Sequence, residues 1–259
     1  YHWYHFHQWP SRYECWWGIH TLPNVNESHP DYIHYIIEGE NSIIRRWLRA
    51  GASGWRLDVA DELPDEFIEK IRTAVETTDP NAILIGEVWE DASNKESYGA
   101  RRKFLLGDQL DTVMNYVFRG AILDFCRGQE ARYTMAAIMS VIENYPRPVL
   151  RVLMNSLSTH DTERALTVIA GEPLNGRDRE WQANTHLSKE QRERGIKLLK
   201  IAAAMQFTLP GFPCVYYGDE AGLEGYRDPF NRCCYPWGKE DRELLDWYRA
   251  LGALRKEHT

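Results

Sequence analysis

An α/β fold built on a parallel sheet follows from three features of this sequence. From residue 41 onward, short apolar runs alternate with segments of helical period. The 259 residues, 43% of them hydrophobic, suffice for one large core rather than two small ones. Charged residues stand where the apolar strands stop, the end at which parallel sheets keep their chemistry. Strands joined through helices imply right-handed crossovers, in either an open doubly wound sheet or part of an eight-stranded barrel.

Residues 1–40, rich in Trp, Tyr, His, Pro and Asn without a clear period, read as a long ordered aromatic loop. The spacing then predicts a helix over 41–50, with Ile43, Ile44, Trp47 and Leu48 on its apolar side and Gly51 closing it. A strand over 54–58 follows, putting Arg56 and Asp58 on one face and Trp55 and Leu57 on the other. Pro64 opens a helix over 64–78, where Phe67, Ile68, Ile71 and Val75 recur at helical spacing. Further on come a strand over 83–87, a helical segment near 97–106 and a strand over 111–116. Helical stretches over 119–127 and 130–143 precede a strand over 150–157. A helix over 188–209 opens on the capping box Ser188-Lys-Glu-Gln191, and a strand over 213–217 and a helix over 239–255 complete the series.

The net charge of −7 argues against a nucleic-acid surface, and the run Arg101-Arg102-Lys103 reads as a solvated helix face. Neither G-x-G-x-x-G nor G-x-x-x-x-G-K-[ST] occurs, which lowers a nucleotide reading. Ten Trp and fourteen Tyr suit the flat apolar faces of sugar rings, or simply a core. Five cysteines without a C-x-x-C pattern speak against a disulfide framework and lean towards a reducing, cytoplasmic setting. No apolar run reaches membrane-spanning length. His2, His5 and His7 lack the matched second set of ligands a zinc site uses, so no metal is expected there.

Asp58 and Glu87 each close an apolar strand, and His160 and Asp161 lie a few residues past the strand over 150–157. Each acid alone has a bland account: Asp58 as the partner of Arg56, Asp161 as a helix cap. Three acids on one rim favour chemistry. Glycoside transfer uses such a set, one carboxylate attacking the sugar carbon and another protonating the leaving oxygen. Arg56 beside Asp58 stabilises the anion needed for attack, while Glu87 after an apolar strand suits the acid role.

The motifs Gly54-Trp55-Arg56-Leu57-Asp58-Val59-Ala60, Gly86-Glu87-Val88-Trp89 and Ser158-Thr159-His160-Asp161 resemble, in order and spacing, those of the retaining α-amylase family of (β/α)8-barrel enzymes. Leu22-Pro23-Asn24-Val25-Asn26 and the segment from Val215 to Trp237 are similar to its neopullulanase and cyclomaltodextrinase branch. The resemblance implies Asp58 as nucleophile, Glu87 as acid/base and Asp161 as transition-state stabiliser, with Arg56 and His160 holding the sugar ring. It makes Trp89 a sugar platform, or packing, and Asp228 and Arg232 polar substrate contacts, or partners of each other. Asp61 departs from the pattern, the branch often having asparagine there, so acceptor-side preference stays open.

Length alone fits a complete barrel of about 250 residues. The motifs imply instead a partial (β/α)8 barrel, strands four to eight with their helices over residues 41–259, preceded over 1–40 by the end of a domain inserted after strand three. Such a piece alone is expected to be poorly soluble and inactive, because sheet edges and an inner face are uncovered.

The expected activity is hydrolysis of α-1,4 bonds in maltodextrin, cyclomaltodextrin or pullulan-type α-glucans by double displacement. No cofactor is required; some family members bind structural calcium, for which no ligand cluster shows here. Partners are an α-glucan substrate, with neither nucleic acid nor membrane, and the parent enzyme has room to be a homodimer. The rivals are a non-enzymatic amylase-like barrel serving as a binding or transporter-ancillary protein, a metal-dependent barrel hydrolase, and a Ser-His-Asp hydrolase, which lacks its G-x-S-x-G.

Overall fold

The computed structural model describes residues 2–258, so Tyr1 and Thr259, the outer limits of the two spans just named, lie outside the described residues. The chain divides into two compact units. The first comprises Tyr1–Val88 with Ala92–Val113, the second Trp89–Asp91 with Met114–Thr259.

The first unit opens on an antiparallel hairpin of β1 (Phe6–Gln8) and β2 (Arg12–Tyr13), a 3-10 turn over Trp16–Gly18, and the short helix α1 (Pro30–Ile33) running into a π turn over His34–Glu38. The sequence predicts loop here because each piece is too short to show a period. Aromatic packing orders it: Phe6 meets Trp9 and Tyr13 edge-on, and Trp3 packs on Tyr32 and Tyr35.

Helix α2 (Ile43–Arg49) is capped by Ser42, whose hydroxyl donates to the Ile37 carbonyl at 2.8 Å. Ile44 and Leu48 are buried as expected, whereas Trp47 is 55% exposed. Strand β3 (Gly54–Leu57), helix α3 (Asp65–Thr78), strand β4 (Ile83–Gly86), the hairpin β5 (Glu96–Ser97) and β6 (Ala100–Arg101), and strand β7 (Thr112–Val113) follow. Strands β3, β4 and β7 pair in parallel in that order, Trp55 opposite Leu84 and Gly86 opposite Val113. Helix α3 buries Phe67, Ile68, Ile71 and Val75, the predicted stripe. Gly54 has to be glycine, since a Cβ there lies 2.1 Å from the Ile83 carbonyl oxygen.

The helix expected near 97–106 is not formed. Tyr98 and Gly99 both take positive φ, 52° and 75°, and turn the chain into the β5–β6 hairpin. The basic run is therefore no solvated helix face: Arg102 is 7% exposed. Its guanidinium donates to the Asp61 carbonyl at 2.6 Å and the Leu63 carbonyl at 2.7 Å and pairs with Asp65 at 2.8 Å. A buried cation tied to surrounding oxygens cannot be told from a solvated one by its neighbours in sequence.

In the second unit, α4 (Tyr116–Cys126), α5 (Ala131–Asn144), α6 (Arg147–Arg151), strand β8 (Met154–Asn155), α7 (Ala165–Ala170), α8 (Arg179–Asn184), α9 (Lys189–Thr208), strand β9 (Phe212–Pro213) and α10 (Arg242–Glu257) succeed one another. Strands β8 and β9 pair in parallel, and Met114 bridges Met154 in parallel. Asn155 ties this sheet together through Asn115 at 2.9 Å and the Pro210 carbonyl at 2.8 Å. The capping box at Ser188 and Gln191 is formed.

The strand expected over 150–157 shrinks to two residues. Pro148 in a first turn favours helix, and α6 takes the apolar run that a strand reading also fits. Helix α4 likewise begins earlier than expected, because Asn115 caps it by accepting the Phe118 N–H at 3.1 Å. Leu153, Leu157, Leu166, Leu199 and Phe118 are fully buried in this unit's core. Among the described residues no helix is long and apolar enough to cross a membrane.

Candidate active site

In the first unit the candidate acids sit where β3 and β4 end. Leu57 is the last residue of β3, and Asp58 follows it with a side chain 76% exposed. Glu87 follows β4 and is 4% exposed. Arg56 donates through Nη1 to Asp58 Oδ1, and its Nη2 lies 2.9 Å from Glu87 Oε1. The Glu87 carboxylate also accepts the Val59 N–H at 2.8 Å. The Val59 backbone is left-handed, φ 42°, a conformation that costs a β-branched residue roughly 1–3 kcal/mol. Glu87 holds it there, its carbonyl accepting the Ala60 N–H at 3.1 Å as well. The strand pairing, the strained turn and both acids thus depend on one another.

A cleft of 430 Å³ reaches Asp58, with Trp16, Leu22, Glu62 and Tyr98 among its walls. Trp16 and Trp17 stack at 4.8 Å, and both indole N–H groups donate to Glu62, one to each oxygen, at 2.6 and 2.8 Å. Asp61, where the motif departs from its pattern, forms an ion pair with Lys95 at 3.0 Å.

In the second unit the loop after β8 carries His160 and Asp161. His160 Nε2 lies 3.0 Å from Asp161 Oδ2. Asp161 does not cap α7: the Ala165 N–H at that helix start donates to Ser158 Oγ at 2.8 Å. Arg232 reaches Asp161 Oδ1 at 3.8 Å and donates to the His160 carbonyl at 3.1 Å. Asp228 and Arg232 pair at 2.7 Å, the alternative the sequence left open for them. Trp89 is 46% exposed, one face stacked on Tyr116 at 4.0 Å, so it serves packing while keeping a face for solvent or ligand.

Behind this loop lies a buried ion pair. Arg164, fully buried, donates to Asp219 at 3.2 Å, to the Tyr217 carbonyl and to the Asn231 carbonyl at 2.8 Å. Its guanidinium also lies 4.2 Å from the Tyr216 ring centre. Burial pushes the Asp219 carboxyl up to about 6, against the lowering effect of Arg164 and Ser158. Sequence reasoning missed Glu62 as a clamp on two tryptophans, together with Arg164, Asp219 and Asn231. All act through folded contacts: Asp219 and Asn231 lie inside the segment from Val215 to Trp237 and Glu62 just after the Gly54 motif, yet nothing in their immediate neighbours shows what they hold. All five cysteines are free thiols. Among the described residues no three of His, Cys, Asp and Glu gather as a metal group.

Carboxylates at the ends of adjacent parallel strands, held by one arginine, define an α/β protein with a carboxylate-based site. The α-amylase catalytic domain model matches residues 3–244, and the chain belongs to the α-amylase family, in a neopullulanase- and cyclomaltodextrinase-like branch. It is 36% identical to an amylopullulanase of Thermoanaerobacter thermohydrosulfuricus, with 95% of this chain and 17% of that protein covered. It is 35% identical to a cyclomaltodextrinase of a Bacillus species, with 92% of this chain and 37% of that protein covered. A solved structure of cyclic α-maltosyl-(1→6)-maltose hydrolase from Arthrobacter globiformis, in complex with that sugar, superposes with TM-score 0.81 at 28% identity, covering 99% of this chain and 52% of the other. The chain therefore spans well under two thirds of the length of each of these proteins.

Proposed function

We propose that the protein hydrolyses α-1,4-glucosidic bonds in maltodextrin, cyclomaltodextrin or pullulan-type α-glucans with retention of configuration. The observation that supports this most is the fork of Arg56 between Asp58 and Glu87. A single guanidinium touching both carboxylates suits the separation of about 5–5.5 Å that retaining enzymes use. On this reading Asp58 attacks the anomeric carbon and forms a covalent glycosyl ester, while Glu87 gives its proton to the departing glycosidic oxygen. Glu87 then takes a proton from water, which attacks the ester and releases Asp58. Asp161 offsets the positive charge developing on the sugar, Arg56 and His160 hold its ring, and Trp89, Asp228 and Arg232 hold flanking rings.

The same reading extends to the architecture. Residues 41–259 are strands four to eight of a (β/α)8 barrel with their helices, and residues 1–40 end the domain inserted after strand three. No observation favours the binding-protein rival, and the relatives named above are hydrolases. The test is Glu87→Gln in the intact protein. Turnover of maltooligosaccharides should vanish while the far-UV spectrum stays native; near-normal turnover overturns the assignment.

A further inference from the structure

The Asp161 carboxylate is held, among the described residues, by His160 and Arg232, and each of these is itself tied to the loop that carries Asp161. Its direction therefore comes from the backbone of residues 159–162. From within, that backbone is gripped by one buried side chain. Asn231, 0% exposed in the 3-10 turn Phe230–Arg232, donates through Nδ2 to the His160 carbonyl at 2.7 Å, the Thr162 carbonyl at 2.8 Å and, more weakly, the Thr159 carbonyl at 3.4 Å. The amide can face only one way, because its oxygen in that place would oppose three carbonyl oxygens.

The grip is itself anchored. Arg164, which ends the same loop, donates to the Asn231 carbonyl at 2.8 Å, and its own N–H reaches the Gly225 carbonyl at 2.9 Å. Arg232, the next residue, holds the His160 carbonyl from the exposed side. One turn thus clasps the Asp161 loop from within through Asn231 and from without through Arg232. Local bonds, such as Thr159 N–H to Thr162 Oγ1 at 3.0 Å, shape the loop but do not fix it against its surroundings.

We propose that Asn231 is a positioning residue for catalysis, which sets the aim of the Asp161 carboxylate through the 159–162 carbonyls. The inference rests on the glycosidase reading given above. It deepens that reading by naming what turns an exposed loop acid into a pre-aimed one. A stabiliser of developing positive charge works only if its direction is fixed before the bond breaks, so a loosened loop costs turnover rather than binding.

The experiment compares Asn231→Asp, Asn231→Ser and Asp161→Asn with the wild type in the intact protein. It measures kcat, KM, thermal melting, and inhibition by a basic iminosugar against inhibition by neutral maltose. Asn231→Asp keeps the shape but sets a carboxylate against three carbonyls. It should lose about 100-fold in kcat with KM within threefold. The iminosugar should weaken in parallel and maltose should not. Asn231→Ser is smaller, keeps one donor, stays folded if the aspartate does not, and should fall between. A melting change alone, with kcat per folded molecule within twofold of wild type in the serine variant, overturns the inference. So does a fall in kcat with iminosugar inhibition intact. A wild type without glycosidase turnover, or a fully active Asp161→Asn, sinks the functional reading; an inactive Asp161→Asn beside a flat Asn231 series sinks only this inference.

Discussion

Arg56 Nη2 lies 2.9 Å from Glu87 Oε1 across the parallel pair β3–β4, while Nη1 of the same guanidinium donates to Asp58. The strand register puts Arg56 opposite Ile85, so its side chain reaches forward over the strand ends to both acids. Lysine has the charge without the fork. Arg56→Lys should therefore keep the fold and lose about 100-fold in kcat/KM on maltooligosaccharides, about 2.7 kcal/mol of transition-state stabilisation. Steady-state kinetics beside circular dichroism checks this. A loss under threefold would show that one charge, not the bridged geometry, is what the acids need.

Glu62 accepts both indole N–H groups of the stacked Trp16–Trp17 pair and lines the cleft that reaches Asp58. Glu62→Gln turns one acceptor oxygen into an amide donor facing an indole N–H, which frees one ring. Trp17, already 76% exposed, is the one with room to move. The expected outcome is a KM for longer maltooligosaccharides raised about three- to tenfold, the order of one lost stacking contact, with kcat little changed. A red shift in tryptophan emission should accompany it. Unchanged KM across chain lengths would remove these rings from substrate binding.

Legibility in the sequence follows the range of the interaction concerned. The apolar period of α3 and the capping box at Ser188 are local, and both can be read directly from neighbouring residues. So can the acids, since strand ends mark themselves by where the apolar runs stop. Asn231 cannot, because its three acceptors lie about seventy residues upstream and its own neighbours are Phe230 and Arg232. The Tyr98-Gly99 turn shows a different failure. Positive φ at Tyr98 is imposed by the folded hairpin, and aromatic residues do not advertise it. The helix reading of 97–106 breaks on that point.

Arg102 gives a prediction on stability. Its guanidinium serves the Asp61 and Leu63 carbonyls, Ser97 Oγ at 2.9 Å and Asp65, and it lies 4.6 Å from the Phe104 ring centre. Methionine fills the space but strands those oxygens, two of them backbone. Arg102→Met should cost about 3 kcal/mol in urea unfolding, far more than an exposed arginine at a surface ion pair. Arg101→Met, on the exposed neighbour, is the control and should cost under about 0.5 kcal/mol. Equal costs at the two positions would contradict the buried network.

Asp219 connects pH to the second unit. Burial raises its carboxyl to about 6 from an ordinary 3.8, Arg164 and Ser158 opposing the rise. A raised folded value means that the folded protein binds this proton more tightly than the unfolded chain between those two pH values. The contribution is then full below about pH 4 and declines as pH rises through about 6, the reverse of an ordinary salt-bridged aspartate. Asp219→Asn removes the titration but keeps the shape and one acceptor oxygen for Arg164. The difference in melting temperature between wild type and variant, followed from pH 4 to pH 7.5, should therefore move against the wild type as pH rises and level off above about pH 7. Other carboxylates titrate alike in both proteins and cancel in that difference. A difference that moves in favour of the wild type over the same range would mean that Arg164 outweighs burial and holds Asp219 ionised from low pH.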